Sequence, residues 1–372
     1  MAVFWVAMQS GPKLDRRSFI FGGVASLGVA LSSTASGMVP VPPPRAIGIA
    51  DFVFGVGADD GNIIAMNGWT GRVEYRIKSP IEIVSFFANR VAERLVGINP
   101  ATGDIAIFRN PGAGGVYVEP IVHAAIASPD LFTFSIDGRH AAYAAFGTGE
   151  IVCLDLHSGR AVGRLSGFEG VHDIRFSALT GELIATSLDR ADVRSVSFKT
   201  KEVKQLVFID DPAGRGIDHM SQTLSGRTGI IIQPGVNYAQ LVAMRANGAS
   251  LSRSIKLNGP PLRAFISSNN RYALLPSTQN PVVDVIDLNT LQRVKTLETP
   301  SLVTQIQTDP LSQSVIGVAP DTDSIVIFDM AELTVRDAFH MRVGAELLAL
   351  NEESGLAYVH GGQNDRRLQI VN

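Results

Sequence analysis

The chain has 372 residues, 45% of them hydrophobic and only 18% charged, with 36 glycines. Its net charge is −3, from 32 Lys and Arg against 35 Asp and Glu, which presents no basic face to nucleic acid. The single cysteine, Cys153, excludes an intrachain disulfide, paired-cysteine metal or redox motifs, and the CxxCH attachment of a covalent c-type haem.

At the N-terminus, Arg16 and Arg17 precede Ser18, Phe19 and Ile20 and an apolar stretch rich in Gly, Ala and Ser that runs to Ala35. This pattern resembles a twin-arginine export signal, in which paired guanidiniums are the recognised feature. Ser33 and Ala35 supply the small residues of a signal-peptidase cut, so residues 1–37 are expected to be a cleavable signal and the mature chain to be periplasmic. Phe19 to Ala35 is only 17 residues, short for a bilayer span, and no cysteine follows it to carry a lipid. No stable membrane span is therefore expected after cleavage. Residues 1–13 are a long preface for such a signal, and Met8 is an alternative start. Residues 38–50 carry four prolines between 40 and 44 and read as an extended linker. The body, 51–372, reads as one domain.

That body repeats a unit of about 43 residues, and units that contact only their neighbours build one ring rather than two cores. Turn residues and period-2 alternation place the turns at 136–139, 178–181, 224–227, 268–271, 309–312 and 352–355. The strands that follow them are expected at 141–146, 183–187, 229–233, 272–276, 314–319 and 356–360. Third strands follow, as at 282–287 and 324–329, and fourth strands, as at 292–297 and 334–339. The first unit, at 52–57, 62–67 and 72–77, lacks a clear inner strand, and the last ends with its third, at 368–371. The fold class is all-β, a β-propeller. Inner strands count seven blades and middle hairpins count eight; seven is the expectation. Asp155, Asp287, Asp329 and Asn67 end strands before turns, where their side chains can accept backbone N–H bonds.

The stretches 135–143, 283–290 and Tyr358-Val359-His360 resemble the YVTN-type propellers, the group that includes quinoprotein amine dehydrogenase-like domains. The Trp-Asp and Gly-His marks of WD40 repeats are absent. The resemblance covers nearly everything after residue 50 and implies a fold. Relatives in that group include heavy subunits of amine dehydrogenases and lactonases, which implies an enzyme acting at the channel mouth as one reading.

In a propeller the inner strands surround a central channel. Aligned on their turns, the units place Glu82, Asp130, His172 with Asp173, Asp218 with His219, Arg263, Thr304 and Glu346 where the chain leads into an inner strand. Crowded carboxylates and imidazoles there form a candidate ligand-binding mouth, because crowding drives their pKa values apart. His172, Asp173, Asp218 and His219 lie on consecutive units and supply N and O donors suited to a divalent metal such as Zn²⁺. Neither GxSxG nor HExxH occurs, and no catalytic residue is assigned. The body of the chain therefore reads first as an exported binding or accessory protein for a small ligand or a periplasmic partner protein. A lactonase-like or amine dehydrogenase-like enzyme, and a metal-binding protein, are the alternatives.

Overall fold

The structure, a computed structural model, describes residues 52–56, 62–89, 93–109, 117–118, 121–123, 126, 129, 131–145, 148–211, 213–308, 314–342, 344–350, 357–361 and 365–371. The signal and linker assignments, and the turns at 309–312 and 352–355, lie wholly or mainly outside these residues. Among the described residues there is no α-helix, only a 3-10 turn at Pro320–Thr322, and hence no helix long and apolar enough to cross a membrane.

The strands form antiparallel sheets in which sequence neighbours pair in order, the pattern of a propeller blade. Seven sheets begin with a hub strand: Ser85–Asn89, Leu131–Phe134, Val171–Phe176, His219–Gln222, Phe265–Ile266, Gln305–Thr308 and Leu347–Leu350. Among the described residues seven sheets carry a hub strand, in line with the expected seven blades. A further three-stranded sheet, Phe52–Val56, Ile63–Asn67 and Val73–Ile77, precedes them and has no hub strand among the described residues. In chain order this is called the first sheet, and the sheet that ends at Val371 the eighth.

From Leu131–Phe134 onward each hub strand touches the next, so the sheets are arrayed face to face around an axis. The hydrophobic clusters lie between neighbours: Phe54 and Ile63 of the first sheet pack with Leu95 and Phe108 of the second, and Val318 and Ile325 of the seventh with Leu348 and Val359 of the eighth. Middle strands such as Tyr272–Pro276 are buried at every position, because both faces are covered by adjacent blades. Outer strands such as Gln292–Glu298 are largely exposed and carry Arg293 and Lys295. Charges on an outermost strand discourage edge-to-edge association. The ring closes where the Tyr358 hydroxyl of the eighth sheet donates to the Asn67 carbonyl of the first, at 3.4 Å.

Turn chemistry repeats as the sequence implies. Asp155 Oδ1 accepts the N–H groups of His157 (3.0 Å) and Ser158 (2.7 Å), and Asp287 Oδ1 those of Asn289 (2.8 Å) and Thr290 (3.0 Å). Asp329 accepts those of Ala331 and Glu332, and Asn67 those of Trp69 and Thr70. These aspartates are structural. Cys153 is buried, and burial pushes its thiol up to about 12, which makes it inert.

Candidate functional site at the propeller hub

A cluster of ionisable side chains sits where the hub strand Val171–Phe176 meets the next one, His219–Gln222. Consecutive residues of a regular strand point to opposite faces. Here the register shifts between Val171 and Asp173, leaving His172 as the extra residue of a β-bulge. A bulge re-aims side chains, and this one lets both His172 and Asp173 reach the fifth sheet. Two dyads result. His172 Nδ1 meets the carboxylate of Asp218 and, at 3.0 Å, its backbone carbonyl, which also accepts from Thr186 Oγ1 at 3.3 Å. Asp173 Oδ2 faces His219 Nδ1 at 2.9 Å and accepts the Met220 N–H at 3.3 Å.

Two residues unforeseen in the sequence complete the inner dyad. Arg175 donates to Asp173 Oδ2 through Nη2 (2.8 Å) and Nε (3.2 Å), and its Nη2 lies 3.0 Å from His219 Nε2. Ser221 Oγ lies 3.1 Å from the same Nε2 and donates to the Ala264 carbonyl of the sixth sheet. Both follow by two residues an ionisable side chain of the same strand face, which is the signal that could have found them. The result is a buried chain of hydrogen bonds across the fourth, fifth and sixth sheets.

Burial alone would raise the pKa of Asp173, but Arg175, His219 and Arg263 together hold its carboxyl well below the usual range. Burial pushes His219 down to about 4, with help from Arg175 and Arg263 against the pull of Asp173. His219 is therefore neutral at pH 7, with its proton on Nδ1 toward Asp173 and its Nε2 lone pair toward the arginine. Burial also works against protonation of His172, yet the Asp218 carboxylate outweighs it and raises the imidazole pKa. Arg263 is lowered by burial and by Arg175, opposed by Asp173 and Asp218.

The dyads differ in access. The side chains of Asp173 and His219 are 5% and 7% exposed, those of Asp218 and His172 27% and 16%. Ser221, His219 and Asp173 share the order of a nucleophile–base–acid relay, but Ser221 is buried, its proton is held by Ala264, and Arg175 contacts the nitrogen that would act as base. That chain is a staple. Gln305 makes a comparable one, its Nε2 donating to the Leu348 carbonyl (3.1 Å) and its Oε1 accepting the Leu348 N–H (3.0 Å).

The four residues expected to ligate a metal thus form two separate pairs, one of them occupied by an arginine. Among the described residues no group of three or more His, Cys, Asp or Glu could hold a metal ion.

The other expected mouth residues are more scattered. Asp218, Leu262, Thr304 and Glu346 each donate a backbone N–H to the end of the neighbouring strand, which marks them as equivalent positions. Arg263 is therefore one residue further in, level with His219 and Gln305. Val84 makes the corresponding bond in the second sheet, so Glu82 lies two residues short of it and is exposed. Glu346 holds the expected position and is exposed. Asp130 lies outside the described residues.

No protein-family model matches the chain, and no curated protein does. Among solved structures, the dihydro-heme d1 dehydrogenase NirN in complex with DHE is similar at a TM-score of 0.68 and 15% identity, covering 86% of this chain and 70% of NirN. A protein of unknown function from Desulfotomaculum acetoxidans is similar at 0.62 and 12% identity, covering 87% of this chain and 99% of that one. At these identities the likeness is one of fold: the chain is a β-propeller.

Proposed function

We propose that this protein is an exported, periplasmic binding or accessory propeller whose hub mouth, at His172 and Asp218, holds a small ligand or a segment of a partner protein. One observation carries the reading. Of the two dyads, the outer is partly exposed, at 16% and 27%, and is held on a bulge, whereas the inner is buried and occupied with joining blades. A bulge beside a channel mouth is a common device for aiming functional side chains. NirN, a propeller neighbour, is seen with a small molecule bound, which favours the ligand over the partner protein. Export rests on Arg16 and Arg17 and the apolar stretch behind them.

The test uses the full chain purified from the cell envelope, with mass spectrometry of bound small molecules and co-purifying proteins. An occupant present in the native protein and absent from a His172→Ala, Asp218→Ala variant is the expected result. No occupant, or one retained by the variant, overturns the reading. Turnover of lactones or amines by the isolated chain, abolished by the same changes, would move the protein to the enzyme class. Replacing Arg16 and Arg17 by Lys is expected to hold the precursor in the cytoplasm, read by fractionation.

A further inference from the structure

The hairpin turn Leu188–Asp189 joins strands Leu183–Ser187 and Arg190–Ser197 of the fourth sheet, and it is bonded to both segments that carry the outer dyad. On one side is the segment leading to His172. Ser187 Oγ donates to the Glu169 carbonyl (2.8 Å), and the Leu188 N–H donates to the Gly170 carbonyl (3.0 Å). On the other side is the segment leading to Asp218. The Ile217 N–H is shared between the carbonyls of Ser187 (2.7 Å) and Arg190 (3.2 Å), and Thr186 Oγ1 reaches the Asp218 carbonyl itself at 3.3 Å. Each segment closes on the turn through a glycine two residues ahead of its dyad member. A Cβ on Gly170 would lie 2.1 Å from Asp189 Oδ2 and 2.9 Å from Ser187 Oγ, and one on Gly216 would lie 1.9 Å from the Leu188 carbonyl oxygen. Neither approach leaves room for a side chain. Two side chains stay in hydrogen-bond register only when the backbones that carry them are fixed relative to each other. Here one short turn fixes both.

We propose that Thr186 and Ser187 are the positioning residues of the hub mouth: the strand end they form, with the turn after it, sets His172 against Asp218. This rests on the reading of the mouth as a ligand site and adds what holds that site in shape. Ser187 governs the segment leading to His172 through its hydroxyl, and Thr186 governs Asp218 through the carbonyl it bonds. The sixth sheet supplies a comparison. There the Thr278 N–H donates to the Pro260 carbonyl at 2.8 Å, and Ser277 Oγ accepts the N–H groups of Gln279 (3.2 Å) and Asn280 (3.1 Å). Ser277 is buried like Ser187, but the segment held there leads to Leu262 and Arg263 rather than to a member of the outer dyad.

NMR of the full chain, following the His172 imidazole through a pH titration, tests this without any ligand. Burial works against protonation of His172, and the carboxylates of Asp218 and Asp173 outweigh it, holding the midpoint above the ordinary value of about 6.5. In Ser187→Ala the midpoint is expected to fall toward that value, and Ser187→Thr, which keeps a hydroxyl, should restore most of the wild-type behaviour. Ser277→Ala, the same change in the sixth sheet, should leave the midpoint in place. A midpoint unmoved by Ser187→Ala in the folded protein, or moved equally by Ser277→Ala, overturns the proposal. Should Ser187→Ala fail to fold, Thr186→Val, which keeps the side-chain shape and removes the hydroxyl bonded to Asp218, is read in the same way. A lowered midpoint in a protein whose mouth proves empty upholds the positioning role and removes only the ligand reading.

Discussion

His219 and His172 lie on neighbouring strands yet respond to pH with opposite sign. His219 has its pKa pushed down to about 4 by burial. Above about pH 6.5 it is neutral in both folded and unfolded chains and its contribution is complete. As pH falls from 6.5 to 4 the unfolded chain takes up a proton that the folded chain refuses, and stability drops by on the order of 3 kcal/mol. His172 has a raised pKa, so it adds stability that is complete below pH 6.5 and is lost as pH climbs through its folded value. Urea unfolding at pH 7 and pH 5 separates them: His219→Gln is expected to flatten the acid decline, and His172→Gln to steepen it. A third substitution, Asp173→Asn, leaves the partly exposed Arg175 charge without its carboxylate. It should cost about 1–3 kcal/mol, a loss that identical stability of wild type and variant in urea would refute.

At the scale of the strand and turn, the repeated aspartates supply a graded test. Asp155, Asp287 and Asp329 each accept two backbone N–H groups in the turn that follows their strand. Each change to Ala should cost about 1–3 kcal/mol by urea titration, similar from blade to blade because the geometry is the same. A large cost at one and none at the others would mean the turns are not equivalent. Gly216 is a different case, since a Cβ there would lie 1.9 Å from the Leu188 carbonyl oxygen. The Ile217 N–H donates to the Ser187 carbonyl at 2.7 Å and draws the two segments together. Gly216→Ala is expected to destabilise by about 2–4 kcal/mol. Such strands and turns were legible because their signals are local: alternation and turn residues place strands at 183–187, 272–276, 282–287, 314–319 and 324–329, and the structure has strands at those bounds. The hub was less legible. The loops leading into it differ in length, which displaced Glu82 by two residues and Arg263 by one from the aligned position. The bulge at His172 has no composition of its own, and Arg175 and Ser221 matter only through partners on other blades.

For the whole molecule the decisive contact is the least local one. Tyr358 and Asn67 are 291 residues apart in sequence, and their hydrogen bond joins the eighth sheet to the first. Tyr358 is fully buried, and burial raises its phenol to about 12, so it remains a neutral donor. Tyr143, in the third sheet, is as completely buried, but it packs with Val96 and Val152, neighbours reached early along the chain. Truncating either to Ala should cost about 3–5 kcal/mol of stability. The kinetics should differ. Closing the ring brings together the most distant parts of the chain, an entropic cost that must be met before the contact forms. If closure is part of the rate-limiting step, Tyr358→Ala slows refolding while Tyr143→Ala mainly speeds unfolding. Tyr358→Phe, which keeps the ring and removes one long hydrogen bond, should cost about 1 kcal/mol and leave refolding unchanged. Stopped-flow refolding of the three variants distinguishes these outcomes, and equal refolding rates for Tyr358→Ala and Tyr143→Ala would place closure after the barrier.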